Sequence, residues 1–274
     1  MAHKRELAAG VAIPVVLAIL FFTPAIVFDL LVAAVALAAL YEFFLLAEKT
    51  GHPVSKTVGM GGGAAVLLAW AALWGYGGLA ADRGGLTIAV MLCLAIAALS
   101  AVAPLFASVE PEAALSGAAS TLYGVFAVAL PATAMCALRA FSPRAVLFLF
   151  LIVWGCDSCA YYAGRALGRH KLAPVVSPKK TWEGTVGGFL GATLIGAAAG
   201  AWWVLPEAGV LRGAAAGALA SSAGQIGDLV ESLWKRGAGV KDSGVFLPGH
   251  GGFYDRIDSL LYAGPVLAAL LATR

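Results

Sequence analysis

Continuous apolar runs, separated by short polar segments, extend along the chain from end to end. Each run is about 20 residues long, the length that a helix needs to cross the hydrocarbon core of a bilayer. Because the apolar positions are consecutive rather than alternating, they favour helices, which satisfy their own backbone polar groups in lipid. The runs predict nine spans, near 7–23, 25–46, 58–79, 85–106, 114–138, 144–166, 184–205, 208–228 and 257–273.

The composition supports an all-α polytopic integral membrane protein. Hydrophobic residues make up 61% of the chain and charged residues 12%, about half the charged share of a soluble protein. Small residues let helix backbones approach closely in lipid, either within one chain or in a homodimer. The seventh span predicts such packing at Gly187, Gly188, Gly191, Gly196 and Gly200.

The distribution of Lys and Arg predicts the orientation. If the N-terminus is cytoplasmic, 13 of the 18 basic residues lie on the cytoplasmic side and five lie outside. Basic residues concentrate on the inner side of membrane proteins. We therefore expect a cytoplasmic N-terminus, an outside C-terminus, and two cytoplasmic loops, 167–183 and 229–256.

The two halves of the chain differ in polar content. Residues 1–143 contain few polar landmarks, among them Asp29 and Glu42, and are interpreted as helices for packing, lipid access or oligomerisation. Residues 144–274 contain nearly every side chain suited to chemistry, and this half is predicted to be catalytic.

Asp157 is the first candidate, because a carboxylate inside a span costs about 2.5–3.5 kcal/mol to insert and is a functional candidate by default. The alternative is a packing contact with Arg165 or Tyr161.

The second candidate is the segment Ser177-Pro178-Lys179-Lys180-Thr181. Ser177 or Thr181 could cap the next helix, where free backbone N–H groups and the helix dipole favour anions. The adjacent lysines Lys179 and Lys180 add the positive charge that phosphates need. The alternative is an anchor that contacts only lipid headgroups.

The third candidate runs from Gly227 to Asp258 and is the most polar part of the chain. Two pairs of carboxylates have the i, i+3 spacing of a shared helix face, and Asp242 lies between them. Converging carboxylates suit Mg²⁺, with phosphates as further ligands. The pairs are Asp228 with Glu231, and Asp255 with Asp258.

Cationic and glycine residues of the same segment suit phosphate binding. Arg236 and Arg256 could clamp phosphate oxygens with two hydrogen bonds each. The run His250-Gly251-Gly252 allows a ligand to approach the backbone closely. The alternative is a solvated charged loop, which would not explain the matching carboxylate spacing.

These residues resemble the phosphatidate cytidylyltransferases, also called CDP-diacylglycerol synthases. The resemblance is strong over residues 155–260, and Trp234 stands where the family usually has Phe or an aliphatic residue. The matching signature positions are Ser232, Lys235-Arg236, Lys241-Asp242, Gly244, Pro248, His250-Gly251-Gly252, Asp255-Arg256 and Asp258.

The resemblance implies that phosphatidate attacks the α-phosphorus of CTP to give CDP-diacylglycerol and pyrophosphate. The implied reaction requires Mg²⁺, and the number of metal ions, one or two, stays open. It implies a multi-pass protein of the cell inner membrane, with its site facing the cytoplasm and no nucleic-acid partner. The implied catalytic residues are Asp228, Asp242, Asp255, Lys241 and Arg256. The implied metal ligands are Asp228, Glu231, Asp242, Asp255 and Asp258. The implied substrate-binding residues are Asp157, Ser177, Lys179, Lys180, Thr181, Lys235, Arg236, His250, Gly251 and Gly252.

Three other functions were weighed against this one. A CDP-alcohol phosphotransferase would need an Asp-Gly-x-x-Ala-Arg motif, which the sequence lacks. A relative acting on another lipid phosphate, or a CTP-dependent lipid kinase, would share the same site. A transporter using Asp157 and the acidic cluster would have charges near the bilayer midplane and repeat symmetry, and it would not bind CTP.

Overall fold

A computed structural model describes residues 13–72, 83–107, 109–200, 202, 209–244 and 251–272, and most of them are helical. A 3₁₀ turn, Ala103–Phe106, follows α4, and a π-helical turn, Val125–Ala129, joins α5 to α6. The helices are α1 (Ile13–Phe22), α2 (Ala25–Lys49), α3 (Lys56–Trp70), α4 (Arg83–Val102), α5 (Pro111–Gly124), α6 (Leu130–Phe141), α7 (Pro143–Leu167), α8 (Trp182–Ala199), α9 (Gly209–Gly237) and α10 (Tyr254–Ala272).

Three helical segments within the described residues are long and apolar enough to cross a membrane. They are α2, the continuous segment Pro111–Phe141, and α7. This agrees with the predicted all-α membrane protein, while the count of nine spans and the orientation stay predictions.

Proline sets several helix boundaries, as its missing N–H and fixed φ require. The predicted boundary between the first two spans, 7–23 and 25–46, is confirmed at Pro24, because α1 ends at Phe22 and α2 begins at Ala25. Pro143 occupies the first turn of α7, and the Ser142 side chain accepts a hydrogen bond from the Arg144 N–H at 3.2 Å.

The chain divides into two compact units. The first contains residues 1–140 and 237–256, and the second contains residues 141–236 and 257–274. Part of the predicted loop 229–256 therefore packs with the N-terminal helices, and the first three residues of α10 belong to this unit.

In the first unit, α2 supplies much of the core through buried aromatic and aliphatic side chains. Phe28, Leu40 and Phe44 are almost fully buried. The Phe43 ring lies 6.1 Å from the Tyr254 ring in an edge-on arrangement, so the core of α2 extends to the start of α10.

In the second unit, α8 packs against α7 and α9 with almost no side chain between the backbones. A Cβ atom on Gly188 would lie 2.9 Å from the Cys156 carbonyl oxygen, and one on Gly200 would lie 2.8 Å from the Gly213 Cα. The close packing predicted from the seventh-span glycines is confirmed.

The predicted loop 167–183 contains an antiparallel hairpin, β1 (Lys171–Ala173) and β2 (Ser177–Thr181), which departs from a purely helical fold. Pro174 and two valines occupy the connection, and β-branched residues favour extended structure. Thr181 accepts a hydrogen bond from the Gly184 N–H at 3.1 Å and so caps α8, as predicted.

Helix α9 continues to Gly237, although the sequence predicted a span ending near 228 and a loop from 229. An i, i+4 ion pair between Glu231 and Lys235 stabilises these added turns. The first residues of the predicted loop, 229–237, are therefore helical.

Candidate active site

Three carboxylates converge in the second unit, where α9 presents Asp228 and Glu231 on one face and α10 supplies Asp258. One oxygen from each lies within 4.8 Å of the others, and no other such group occurs in the described part of the chain. Glu231 is 1% exposed and the other two are partly buried. Clustered carboxylate oxygens are ligands for a hard divalent cation such as Mg²⁺.

A glycine lets α10 reach this position. A Cβ atom on Gly227 would lie 2.6 Å from the Tyr262 ring and 2.8 Å from the Asp258 carbonyl oxygen. The two helix backbones therefore meet one residue before Asp228, which brings the three carboxylates together.

Two lysines contact the carboxylate cluster. Lys180 Nζ lies 2.6 Å from Asp228 Oδ2, and Lys235 Nζ lies 2.5 Å from Glu231 Oε2. Lys235 is only 12% exposed, and ion pairs are screened less when buried. The site thus combines oxygen ligands for a cation with ammonium groups that attract phosphate.

Asp157, on α7, interacts electrostatically with Asp228 and Lys180. The two residues predicted as its alternative packing partners contact each other, because Arg165 donates to the Tyr161 hydroxyl at 3.4 Å. Asp157 thus interacts with members of the carboxylate cluster, and its role in substrate binding stays a prediction.

Strand β2 directs its two lysine side chains to opposite faces. Side chains alternate between the faces of a strand, so Lys180 reaches Asp228 while Lys179 is exposed. Arg236, predicted as a phosphate clamp, donates from Nε to the Val176 carbonyl oxygen at 3.2 Å and links α9 to the hairpin.

The base of the hairpin is closed by a contact between His170 and Glu183 that the sequence did not predict. His170 Nδ1 lies 2.6 Å from Glu183 Oε1, and the Trp182 N–H donates to the His170 carbonyl at 3.0 Å. Hydrogen bonds from its own backbone N–H, and then from the His170 side chain, lower the pKa of Glu183 to about 2.

The predicted ligands Asp242 and Asp255 belong to the first unit and are not members of the three-carboxylate group. Asp255 Oδ2 accepts hydrogen bonds from the Ser243 N–H at 2.8 Å and the Gly252 N–H at 2.7 Å. It therefore orders the loop before α10. Asp242 is exposed, as are Lys241 and Arg256.

Of the predicted loop positions His250 and Gly251, the structure describes only Gly251. His250 lies outside the described residues. Gly251 has a φ of +74°, and a Cβ atom there would lie 2.6 Å from Asp255 Oδ2, so glycine is required at this turn.

Sequence reasoning did not select Glu42, which contacts this same loop from α2. The Glu42 carboxylate is 5% exposed and accepts hydrogen bonds from the backbone N–H groups of Phe253 and Tyr254. A carboxylate within an apolar run is the signal that selected Asp157, and it applied equally to Glu42.

Comparisons with known proteins agree with this chemistry. The model of the cytidylyltransferase family matches residues 3–274. A phosphatidate cytidylyltransferase from Staphylococcus epidermidis is 47% identical over 136 residues, covering 47% of this chain and 49% of that protein. The protein of the same name from Brucella suis is 43% identical over 155 residues, covering 53% of this chain and 54% of that protein. The one from Pseudomonas aeruginosa is 44% identical over 126 residues, covering 46% of each chain. The chain spans about half the length of the curated relatives it matches.

Proposed function

The chain belongs to the cytidylyltransferase family, and from that membership we propose that it is a nucleotidyltransferase acting on CTP and phosphatidate. The reaction transfers the cytidylyl group to the lipid and depends on Mg²⁺. Its products are CDP-diacylglycerol and pyrophosphate. The names of the relatives and the resemblance of residues 155–260 support this choice of substrates.

The observation that carries the proposal is the cluster of Asp228, Glu231 and Asp258 with two lysines in contact. Their oxygens fit Mg²⁺, which keeps a few carboxylate ligands and takes substrate phosphates as others. When bound there, Mg²⁺ would neutralise charge on the triphosphate. Asp242 and Asp255 remain proposed ligands from the family resemblance.

The chemistry requires no activated protein nucleophile. A phosphate oxygen of phosphatidate forms the new bond to the α-phosphorus of CTP, and the bond between that phosphorus and the bridging oxygen breaks. Pyrophosphate leaves with the electron pair. Phosphoryl chemistry of this kind depends mainly on positioning and on charge neutralisation, which Lys180 and Lys235 are placed to supply.

Three further cationic side chains lie at the surface. Lys179, Lys241 and Arg256 are exposed and are proposed to bind phosphates of CTP or phosphatidate. The distribution of basic residues supports a site that faces the cytoplasm at the inner membrane, where the lipid tails stay in the bilayer.

Pyrophosphate release by the purified protein in detergent tests the proposal. We expect release that needs CTP, phosphatidate and Mg²⁺ together, and loss of release when EDTA removes the metal. Release without lipid would indicate CTP hydrolysis instead. A monodisperse protein with no release under any of these conditions would contradict the proposed function.

A further inference from the structure

The side chain of Glu42 is a buried carboxylate on an apolar helix. It lies seven residues before Lys49, the last residue of α2, or about 10 Å along the helix axis. Only 5% of the residue is exposed. A carboxylate in such surroundings is retained when donors satisfy both of its oxygens.

Three hydrogen-bond donors to Glu42 among the described residues come from one distant part of the chain, residues 243–254. Ser243 Oγ lies 2.8 Å from Oε2, the Tyr254 N–H donates to Oε2 at 2.9 Å, and the Phe253 N–H donates to Oε1 at 3.1 Å. The two N–H groups belong to the start of α10, where free N–H groups and the helix dipole favour a negative charge.

Two loop glycines shape the space around this carboxylate. A Cβ atom on Gly244 would overlap the Glu42 side chain at Oε1, and one on Gly252 would overlap Oε2 and also Ser243 Oγ. Gly244 and Gly252 therefore lie against the carboxylate at positions where only a hydrogen atom fits.

Glu42 and Asp255 share one hydroxyl group. Ser243 Oγ lies 2.8 Å from Glu42 Oε2 and 2.9 Å from Asp255 Oδ2, and its single proton serves one carboxylate at a time. Asp255 also accepts from the N–H groups of Ser243 and Gly252. Together the two carboxylates fix the segments on either side of residues 245–250.

We infer that Glu42 is a positioning residue for the nucleotidyl transfer. It holds Ser243 and Tyr254, which are the chain neighbours of the proposed site residues Asp242 and Asp255. The inference rests on the proposed function, and it assigns to the N-terminal helices a role in the chemistry beyond packing and lipid access.

A Glu42→Gln variant tests this role with little change in shape. An amide offers one acceptor oxygen, so its NH₂ group would face one of the two backbone N–H donors. Glu48→Gln is the matched control, because Glu48 lies on the same helix and forms a partly exposed pair with Lys56 at 2.7 Å.

Two measurements separate positioning from general stability. Hydrogen exchange should show faster exchange of the Phe253 and Tyr254 amides in Glu42→Gln and unchanged exchange in Glu48→Gln. The kcat for pyrophosphate release should fall about 10- to 100-fold, as when a supporting hydrogen bond is lost, while KM for CTP changes less than threefold.

Unchanged kcat in a folded Glu42→Gln protein would overturn the inference. If that variant does not fold, Ser243→Ala decides, since it removes a single donor. We expect a smaller fall in kcat with faster exchange of the same amides, and wild-type values for both would also overturn it. A wild-type protein without pyrophosphate release would refute the proposed function itself, and the exchange data would still report separately on the Glu42 contact.

Discussion

Two groups of carboxylates in this protein use the same chemical group in opposite ways. Glu42 and Asp255 accept hydrogen bonds from backbone N–H groups and from Ser243, so their partners are fixed by the chain. Asp228 and Glu231 instead contact lysine side chains and lie beside Asp258.

The difference indicates which group can exchange its partners. A lysine side chain can move from a carboxylate to a phosphate as substrate binds, whereas a backbone N–H at a helix start cannot leave without disrupting the helix. The first group is therefore suited to order a loop, and the second to bind a cation and phosphates.

The largest effect is expected from Asp228→Asn. It removes one converging carboxylate, so kcat for pyrophosphate release should fall more than about 100-fold, and residual activity should need more Mg²⁺. Titration of Mg²⁺ measures this, with Glu42→Gln as the comparison that should lower kcat with a smaller shift of the Mg²⁺ midpoint than Asp228→Asn causes. Equal Mg²⁺ midpoints for Asp228→Asn and wild type would contradict the assignment of cation binding to the group that contains Asp228.

The next effect in size concerns the hairpin lysine. Lys180→Ala removes an ammonium group from Asp228, and kcat/KM for CTP should fall about 10- to 100-fold, as expected for a charge-assisted hydrogen bond of about 1.5–3 kcal/mol. Lys171→Ala, on the exposed start of β1, is the control and should stay within twofold. Equal kcat/KM for the two variants would indicate that Lys180 contacts only lipid headgroups and does not bind substrate.

A smaller effect is expected from the glycine that brings α10 to α9. Gly227→Ala should destabilise the protein by about 1–3 kcal/mol, because the added methyl group meets the Tyr262 ring. Gly61→Ala is the control, since a Cβ there meets nothing within 4 Å and alanine favours a helix by about 0.5–1 kcal/mol. Thermal melting in detergent measures both, and a Gly227→Ala protein as stable as Gly61→Ala would mean that the helix contact tolerates a side chain.

The smallest effect is a pH dependence at Glu183, which belongs to neither of the two carboxylate groups. The pKa of Glu183 is lowered to about 2 from its ordinary 4.5, so the stabilisation from hydrogen bonds to its carboxylate is fully present above pH 4.5 and is lost as the pH falls toward 2. Trp182 fluorescence should report this transition, and His170→Ala should move it to higher pH. Glu183→Gln should lack the transition, and its persistence there would assign the signal to another group.

The sequence predicted the parts of the fold that depend on local patterns. Pro24 marked a helix break, and the seventh-span glycines marked close packing. The hairpin was missed because β2 is short and polar, with no alternation of apolar residues to signal a strand. The extension of α9 was missed because the Glu231–Lys235 pair resembles a solvated segment unless the fold buries it.

The site was predictable to the extent that it follows helix spacing. Asp228 and Glu231 share a face because they are three residues apart, and the structure brings Asp258 to them. The same spacing also grouped Asp255 with Asp258; the structure gives Asp255 hydrogen bonds from Ser243 and Gly252, and its role as a ligand stays a prediction. Glu42 was not selected because its partners are more than 200 residues away in the chain.

The length of that separation has a consequence for biosynthesis. Phe253 follows Glu42 by 211 residues, and at about 5–20 residues per second the ribosome needs roughly 10–40 s to make the intervening chain. During that interval α2 holds a carboxylate whose loop donors do not yet exist. The three hydrogen bonds to Glu42 can therefore form only after Tyr254 has been made, and a chain interrupted before Ser243 cannot form any of them.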